Sequence, residues 1–188
     1  MVAEDDDGTL ACAGGGGMTA PDATSEPRAM IAVMRRLNLH TLTLETDPTD
    51  PDGYHAGGRR LGPELGATLM GGTLYELPEG QANCPYHYEL GDEEWLVVLA
   101  GTLTVRHAEG EDELGPGDVV CFPAGPAGAH KLTNRGAGPV RMLMISTRST
   151  PAIAVYPDSD KIGVFTRGGA DDIIVHRDAG VGYWDGEA

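Results

Sequence analysis

Basic side chains are scarce in this chain. Its 188 residues carry 13 Lys and Arg against 29 Asp and Glu, a formal net charge of −16, and only Lys131 and Lys161 are lysines. A surface this acidic repels phosphate backbones and anionic lipid, which argues against nucleic-acid partners and a membrane-surface role. Long apolar runs are missing too. No stretch approaches the roughly 20 residues needed to span a bilayer, and Glu4, Asp5, Asp6 and Asp7 stand where a signal peptide carries positive charge. Cysteine is limited to Cys12, Cys84 and Cys121, an odd number without CxxC spacing, as expected of free thiols in a reducing compartment. The expected location is cytoplasmic.

What is abundant is turn chemistry. With 28 Gly and 13 Pro, the chain is punctuated too often for long helices. Residues 1–27 hold six acids, no basic residue and four consecutive glycines, Gly14 to Gly17, with almost no large apolar side chains. They are expected to form a disordered acidic tail, because burial cannot offset their ordering entropy. Met18, Met30 and Met34 are alternative starts. Residues 28–188 are expected to form one domain, with residues 28–36 as the only candidate helix.

From residue 37 the pattern turns to short β segments. Residues 37–44 alternate with period two, and residues 68–70 and 73–77 flank Gly71-Gly72. Further strands are expected at 86–90, 94–100, 102–107, 119–122, 129–133, 140–146, 153–156, 161–165 and 173–176. Residues 109–112 read as a polar turn, and residues 156–161 as a surface turn between two strands. Strand and turn alternate roughly every 8 to 12 residues, the rhythm of an all-β sandwich or barrel with no βα units.

The chemistry concentrates in residues 80–134. In a strand His87 and Glu89 project to the same face, i and i+2. With an acid on the next strand and His130 further on, they can converge on one divalent ion. A mixed imidazole and carboxylate set suits first-row metals: Fe, Mn, Ni or Zn. The competing reading is a polar pocket whose acids and histidines bond one another. Glu93 and Glu94 are both candidate acids. Residues 95–99 are apolar on both faces of their strand, and an acid at a buried position there is costly unless paired or metal-bound, which favours Glu94.

This window resembles the cupin superfamily. Its first motif, Gly-x5-His-x-His-x3,4-Glu-x6-Gly, reads here as Gly80-x6-His87-Tyr88-Glu89-x4-Glu94-x6-Gly101. The second, Gly-x5-Pro-x-Gly-x2-His-x3-Asn, reads as Gly117-x5-Pro123-Ala124-Gly125-x4-His130-x3-Asn134, two residues longer between Gly125 and His130. Glu89 replaces the family's second histidine. The resemblance implies a double-stranded β-helix (jelly-roll) barrel with a C-terminal strand extension, a homodimer, and one divalent metal held by His87, Glu89, Glu94 and His130 at the barrel mouth. It implies a small polar ligand such as a sugar, keto or hydroxy acid, or phenolic. The protein is then a metal-dependent isomerase or oxygenase, or a non-enzymatic binding module for a small metabolite.

Smaller signals have plainer readings. Cys84, three residues before His87, is expected on the opposite strand face as a buried thiol, and Cys121 in the core. Tyr86, Tyr88 and Trp95 are expected on the outer face, and His40, His55, His107 and His176 as structural or solvent-facing. The order His87-x-Glu89, His130, Arg141 is also similar to that of 2-oxoglutarate-dependent oxygenases, although the interval from Glu89 to His130 is short for that class.

Overall fold

Alternation builds the sheets. In residues 94–100, Leu96 and Val98 are buried, while Trp95 between them and the acids lies 47% exposed, so one face of the strand meets a core and the other meets solvent. A computed structural model describes residues 34–187. The expected acidic tail, Cys12 and most of the expected helix at 28–36 lie outside those residues. Met34, Arg35 and Arg36, which lie inside them, are not helical.

Thirteen strands follow in chain order: β1 (Glu45–Thr46), β2 (Gly57–Arg60), β3 (Met70–Leu77), β4 (Tyr88–Glu89), β5 (Glu94–Ala100), β6 (Leu103–His107), β7 (Gly110–Leu114), β8 (Val119–Phe122), β9 (His130–Thr133), β10 (Val140–Thr147), β11 (Ala152–Tyr156), β12 (Lys161–Phe165) and β13 (Ile173–His176). One four-residue helix, α1 (Gly62–Leu65), follows β2 and is closed by Gly66 in the left-handed region at φ 74°. Every named strand pair is antiparallel.

One sheet runs β1-β2-β3-β10-β5-β8. Two others, β13-β12-β11-β4 and β7-β6-β9, meet where His87, just before β4, pairs with His130, the first residue of β9. Together they form the jelly-roll architecture expected from the sequence. Side chains of β3, β5, β6, β8, β9 and β10, including Leu77, Leu96, Leu103, Leu132 and Met142, fill the space between sheets. Strands β11 and β12 add a smaller cluster of Ala152, Ala154, Tyr156 and Phe165, and β12 and β13 supply the C-terminal extension.

Four expectations change. Residues 37–44 are not a strand: the Asn38 carbonyl accepts the amides of Thr41 and Leu42, and its side chain accepts that of His40, which makes a turn of the middle of the segment. Gly71-Gly72 does not split two strands, because Ile145 and Ser146 of β10 pair with these glycines and carry β3 through them. The acidic stretch around 110–114 is a strand, β7, whose residues are largely exposed. It pairs with β6 without needing an apolar face. Cys121 is exposed, because β8 turns Phe122 inward and Cys121 outward opposite Trp95.

Candidate metal centre

The site sits where the core ends. Glu94 opens β5 on the inner face, in register with Ser146 of β10 and Phe122 of β8, and one step deeper Leu96 and Met144 begin the apolar filling. His130 opens β9. It exchanges two backbone hydrogen bonds with His87: the His87 amide donates to the His130 carbonyl at 3.1 Å, and the reverse bond is 2.8 Å. Cross-strand partners project to one side, so the two rings meet with centroids 4.8 Å apart.

The structure brings His87, Glu94 and His130 together, with one ligand-type atom from each within 4.8 Å of the others. Nε2 of His130 lies 3.6 Å from Oε2 of Glu94. Glu89 is buried on the same side of its strand as His87, with Oε1 3.9 Å from Nε2 of His87, but stands outside that group of three. Glu93 points to solvent and accepts the indole N–H of Trp95 at 2.9 Å.

Each histidine is held by its other nitrogen. Nδ1 of His87 lies 2.9 Å from the Pro85 carbonyl, and Nδ1 of His130 lies 2.9 Å from the Gly128 carbonyl. A carbonyl only accepts, so both Nδ1 atoms carry the proton and both Nε2 atoms keep a lone pair, that of His130 beside Glu94 and that of His87 beside Glu89. Phe122 stacks on the His130 ring at 3.8 Å and 12° and fixes its tilt. The loop that supplies the Gly128 carbonyl absorbs the two extra residues of the second motif as a 3₁₀ turn, Pro126–Gly128. Gly128 is required there, since a Cβ would fall 2.0 Å from the Pro123 carbonyl oxygen.

Electrostatics match a ligand set. Burial, then the neighbouring His87, pushes His130 down to about 3, and burial also lowers His87, so both rings are neutral near pH 7. Burial, then the charge of Asp92, pushes Glu94 up to about 7. A carboxylate must lose its proton to bind a cation, whereas the Nε2 atoms of these neutral histidines carry none. Metal affinity is therefore expected to rise about tenfold per pH unit up to about pH 7 and to level off above it, in titration calorimetry with Mn²⁺ or Zn²⁺. Glu94→Gln should flatten that profile; an unchanged slope would place the titrating group elsewhere.

The walls of the cavity come from distant segments. Thr73 and Tyr75 of β3, Asn83, Cys84 and Pro85, Met144 and Ser146 of β10, and Tyr156 at the end of β11 enclose about 530 Å³ of free space including the open mouth. Tyr156 faces the His87 ring at 6.0 Å. Its following turn is anchored by Asp158, which pairs with Arg106, and that guanidinium lies 3.9 Å over the Tyr86 ring.

Cys84 belongs to the lining, contrary to the strand-parity expectation, because residues 83–86 are bent and not a regular strand. Tyr86 stays out of the cavity lining and is buried under the half-exposed Arg106. Arg141 lies away from the cavity, bonding the Leu39 and Leu42 carbonyls and Glu76, and so does not complete an oxygenase-type site.

A cupin domain model matches residues 73–146, which span β3 to β10 and contain both histidines and Glu94. Residues 73–146 are a cupin domain. The cupin fold extends further in two solved structures. A sugar phosphate isomerase of the cupin superfamily from Silicibacter pomeroyi is 27% identical, with a TM-score of 0.68 over 80% of this chain and 98% of its own. A candidate sugar phosphate isomerase from Acidithiobacillus ferrooxidans is 25% identical, with a TM-score of 0.68 over 77% of this chain and 91% of its own. A polyketide cyclase from Streptomyces resistomycificus, 20% identical with a TM-score of 0.50 over 64% of this chain and 84% of its own, shares the fold alone. No curated protein matches the chain. Among the described residues no helix is long and apolar enough to cross a membrane.

Proposed function

We propose that this cupin is a metal-dependent isomerase acting on a small phosphorylated sugar. Its divalent ion would be held by His87, Glu94 and His130, with Glu89 as a fourth ligand. The donor set fits such an ion: two lone pairs fixed by carbonyl-bound Nδ1 protons and a carboxylate lie within 4.8 Å of one another. Atoms bound about 2.1 Å from one ion lie roughly 3 to 4 Å apart. When bound, the ion supplies Lewis-acid polarisation of the sugar carbonyl and its neighbouring hydroxyl.

The chain's own residues do the rest. Phe122 and the Gly128 carbonyl orient His130, the Pro85 carbonyl orients His87, and Tyr156 and Met144 form part of the wall beside them. The observation that carries this reading is the isomerase-like relative, which matches 80% of this chain, combined with the donor geometry. Fold likeness alone does not transfer an activity, so the test is direct. Metal-loaded protein incubated with a panel of aldose phosphates is expected to form the matching ketose phosphates, followed by ¹H NMR, and His87→Ala should form none. A protein that holds its metal yet converts no sugar phosphate would instead be a binding module.

A further inference from the structure

Two polar atoms in the cavity wall have nothing to bond. Thr73 Oγ1 and Asn83 Oδ1 are buried without a hydrogen-bond partner, and their residues are only 3% and 4% exposed. Both residues line the cavity that holds His87, Glu94 and His130. They arrive from unrelated segments. Thr73 lies in β3, paired with Met144 of β10, two residues from the Ser146 that faces Glu94. Asn83 lies in the bend between the Ala82 bridge to β9 and His87.

Natural interiors rarely leave such atoms orphaned, and where they do, the gap calls for a partner. Bulk water does not supply it, since both oxygens are shut off from solvent. The surrounding protein does not supply it either, since neither oxygen has a hydrogen-bond partner among the described residues. A partner must therefore enter from the cavity, with a small rotation of either side chain to meet it.

The chemistry of the two atoms defines that partner. An amide oxygen only accepts, so Asn83 needs a donor; a hydroxyl such as that of Thr73 both donates and accepts. A ligand carrying several hydroxyls satisfies both, and its C–H faces fit against Met144 and Tyr156. A phenolic or a simple keto acid offers fewer hydroxyls for the purpose.

We infer that Thr73 and Asn83 form a hydroxyl-binding subsite that selects a polyhydroxylated substrate at the metal centre. This rests on the sugar-isomerase reading and adds which residues hold the sugar chain. The variants Thr73→Val and Asn83→Leu remove the polar atoms at nearly constant volume. Neither residue belongs to the proposed ligand set, so metal stoichiometry should be unchanged in both.

The test uses non-reactive probes, ribitol 5-phosphate and sorbitol 6-phosphate, titrated into metal-loaded protein by calorimetry, with thermal melts recorded in their absence. Each variant is expected to bind the polyol phosphate that the wild type binds at least tenfold more weakly. Without ligand, Thr73→Val should melt no lower than the wild type, because its hydroxyl has no partner to lose. Variants that bind a probe as tightly as the wild type would overturn the subsite and leave the sugar reading standing. A lower melt of unliganded Thr73→Val would overturn it as well, by showing that the hydroxyl serves the fold. A wild type that binds neither probe would overturn both.

Discussion

His130→Ala is expected to lower the affinity for a divalent metal by about a thousandfold or more, with the sheets still folded. His87→Ala should do the same. The size follows from what each ring supplies: one of two neutral nitrogen donors whose lone pairs are already oriented by Nδ1 bonds to the Pro85 and Gly128 carbonyls. Each variant leaves a single histidine beside a carboxylate pushed up to about 7, which is part-protonated near neutral pH and binds a cation weakly. Folding should survive, since the strand pairing around His130 is backbone to backbone, although the ring stacked on Phe122 leaves a void costing about 2 kcal/mol. Elemental analysis of protein purified without chelators, beside far-UV circular dichroism, checks both halves. About one equivalent of metal retained in both variants would refute the ligand assignment.

The second large effect concerns stability. Asn134 is fully buried, and its amide donates to the Leu77 and Gly138 carbonyls at 2.8 Å each, while its side-chain oxygen accepts the Gly136 amide at 3.0 Å. One side chain thus ties the end of β3 to the turn that leads into β10. Asn134→Ala removes three bonds and leaves the buried Leu77 carbonyl short of a donor, a cost of about 3 kcal/mol. For a chain of this size that is roughly 10 °C in melting temperature. Asn134→Asp keeps the shape but turns the donor into an acceptor facing two carbonyls, and should be at least as damaging. Metal stoichiometry at low temperature should stay unchanged in both. Melts matching the wild type would mean that this hydrogen-bond network is not what holds the turn.

These two residues mark how far the sequence could be read. His130 and Asn134 were legible through the likeness of residues 117–134 to the second cupin motif, and Gly101 from its spacing after Glu94; its φ of 81° and a Cβ position 2.7 Å from the Pro139 carbonyl oxygen explain why a small residue must end β5. Strands β5, β8, β12 and β13 kept their expected bounds, because alternation or a compact apolar run ended at turn residues on both sides. The choice of Glu94 over Glu93 as the inward acid came from the apolar strand around it, and the structure turns Glu94 inward and Glu93 outward.

The rest depended on distance that no local pattern encodes. Thr73, Met144, Ser146 and Tyr156 share one cavity only because β3, β10 and β11 are brought together by pairing between segments far apart in the chain. The parity of Glu89 was correct, but parity gives a face and not a reach, and the side chain stands beside the three-residue group. Cys84 was misplaced because parity fails in a bend. Residues 37–44 alternated for another reason: Leu39 and Leu42 give their carbonyls to Arg141 within a turn, which half-buries alternate side chains without any partner strand.

The reciprocal backbone bonds between His87 and His130 separate two properties of the protein that could otherwise interfere. The span between the two imidazoles is set by the spacing of adjacent antiparallel chains, roughly 5 Å, a constant of peptide chemistry. It is not set by the length of the segment joining β8 to β9. That segment carries a 3₁₀ turn, Pro126–Gly128, and the two histidines keep both backbone bonds beside it. Changes of length at residues 124–127, none of which lines the cavity, would thus leave the backbone pairing of the two histidines in place. The meeting of the two rings is in this way independent of how the chain travels from β8 to β9.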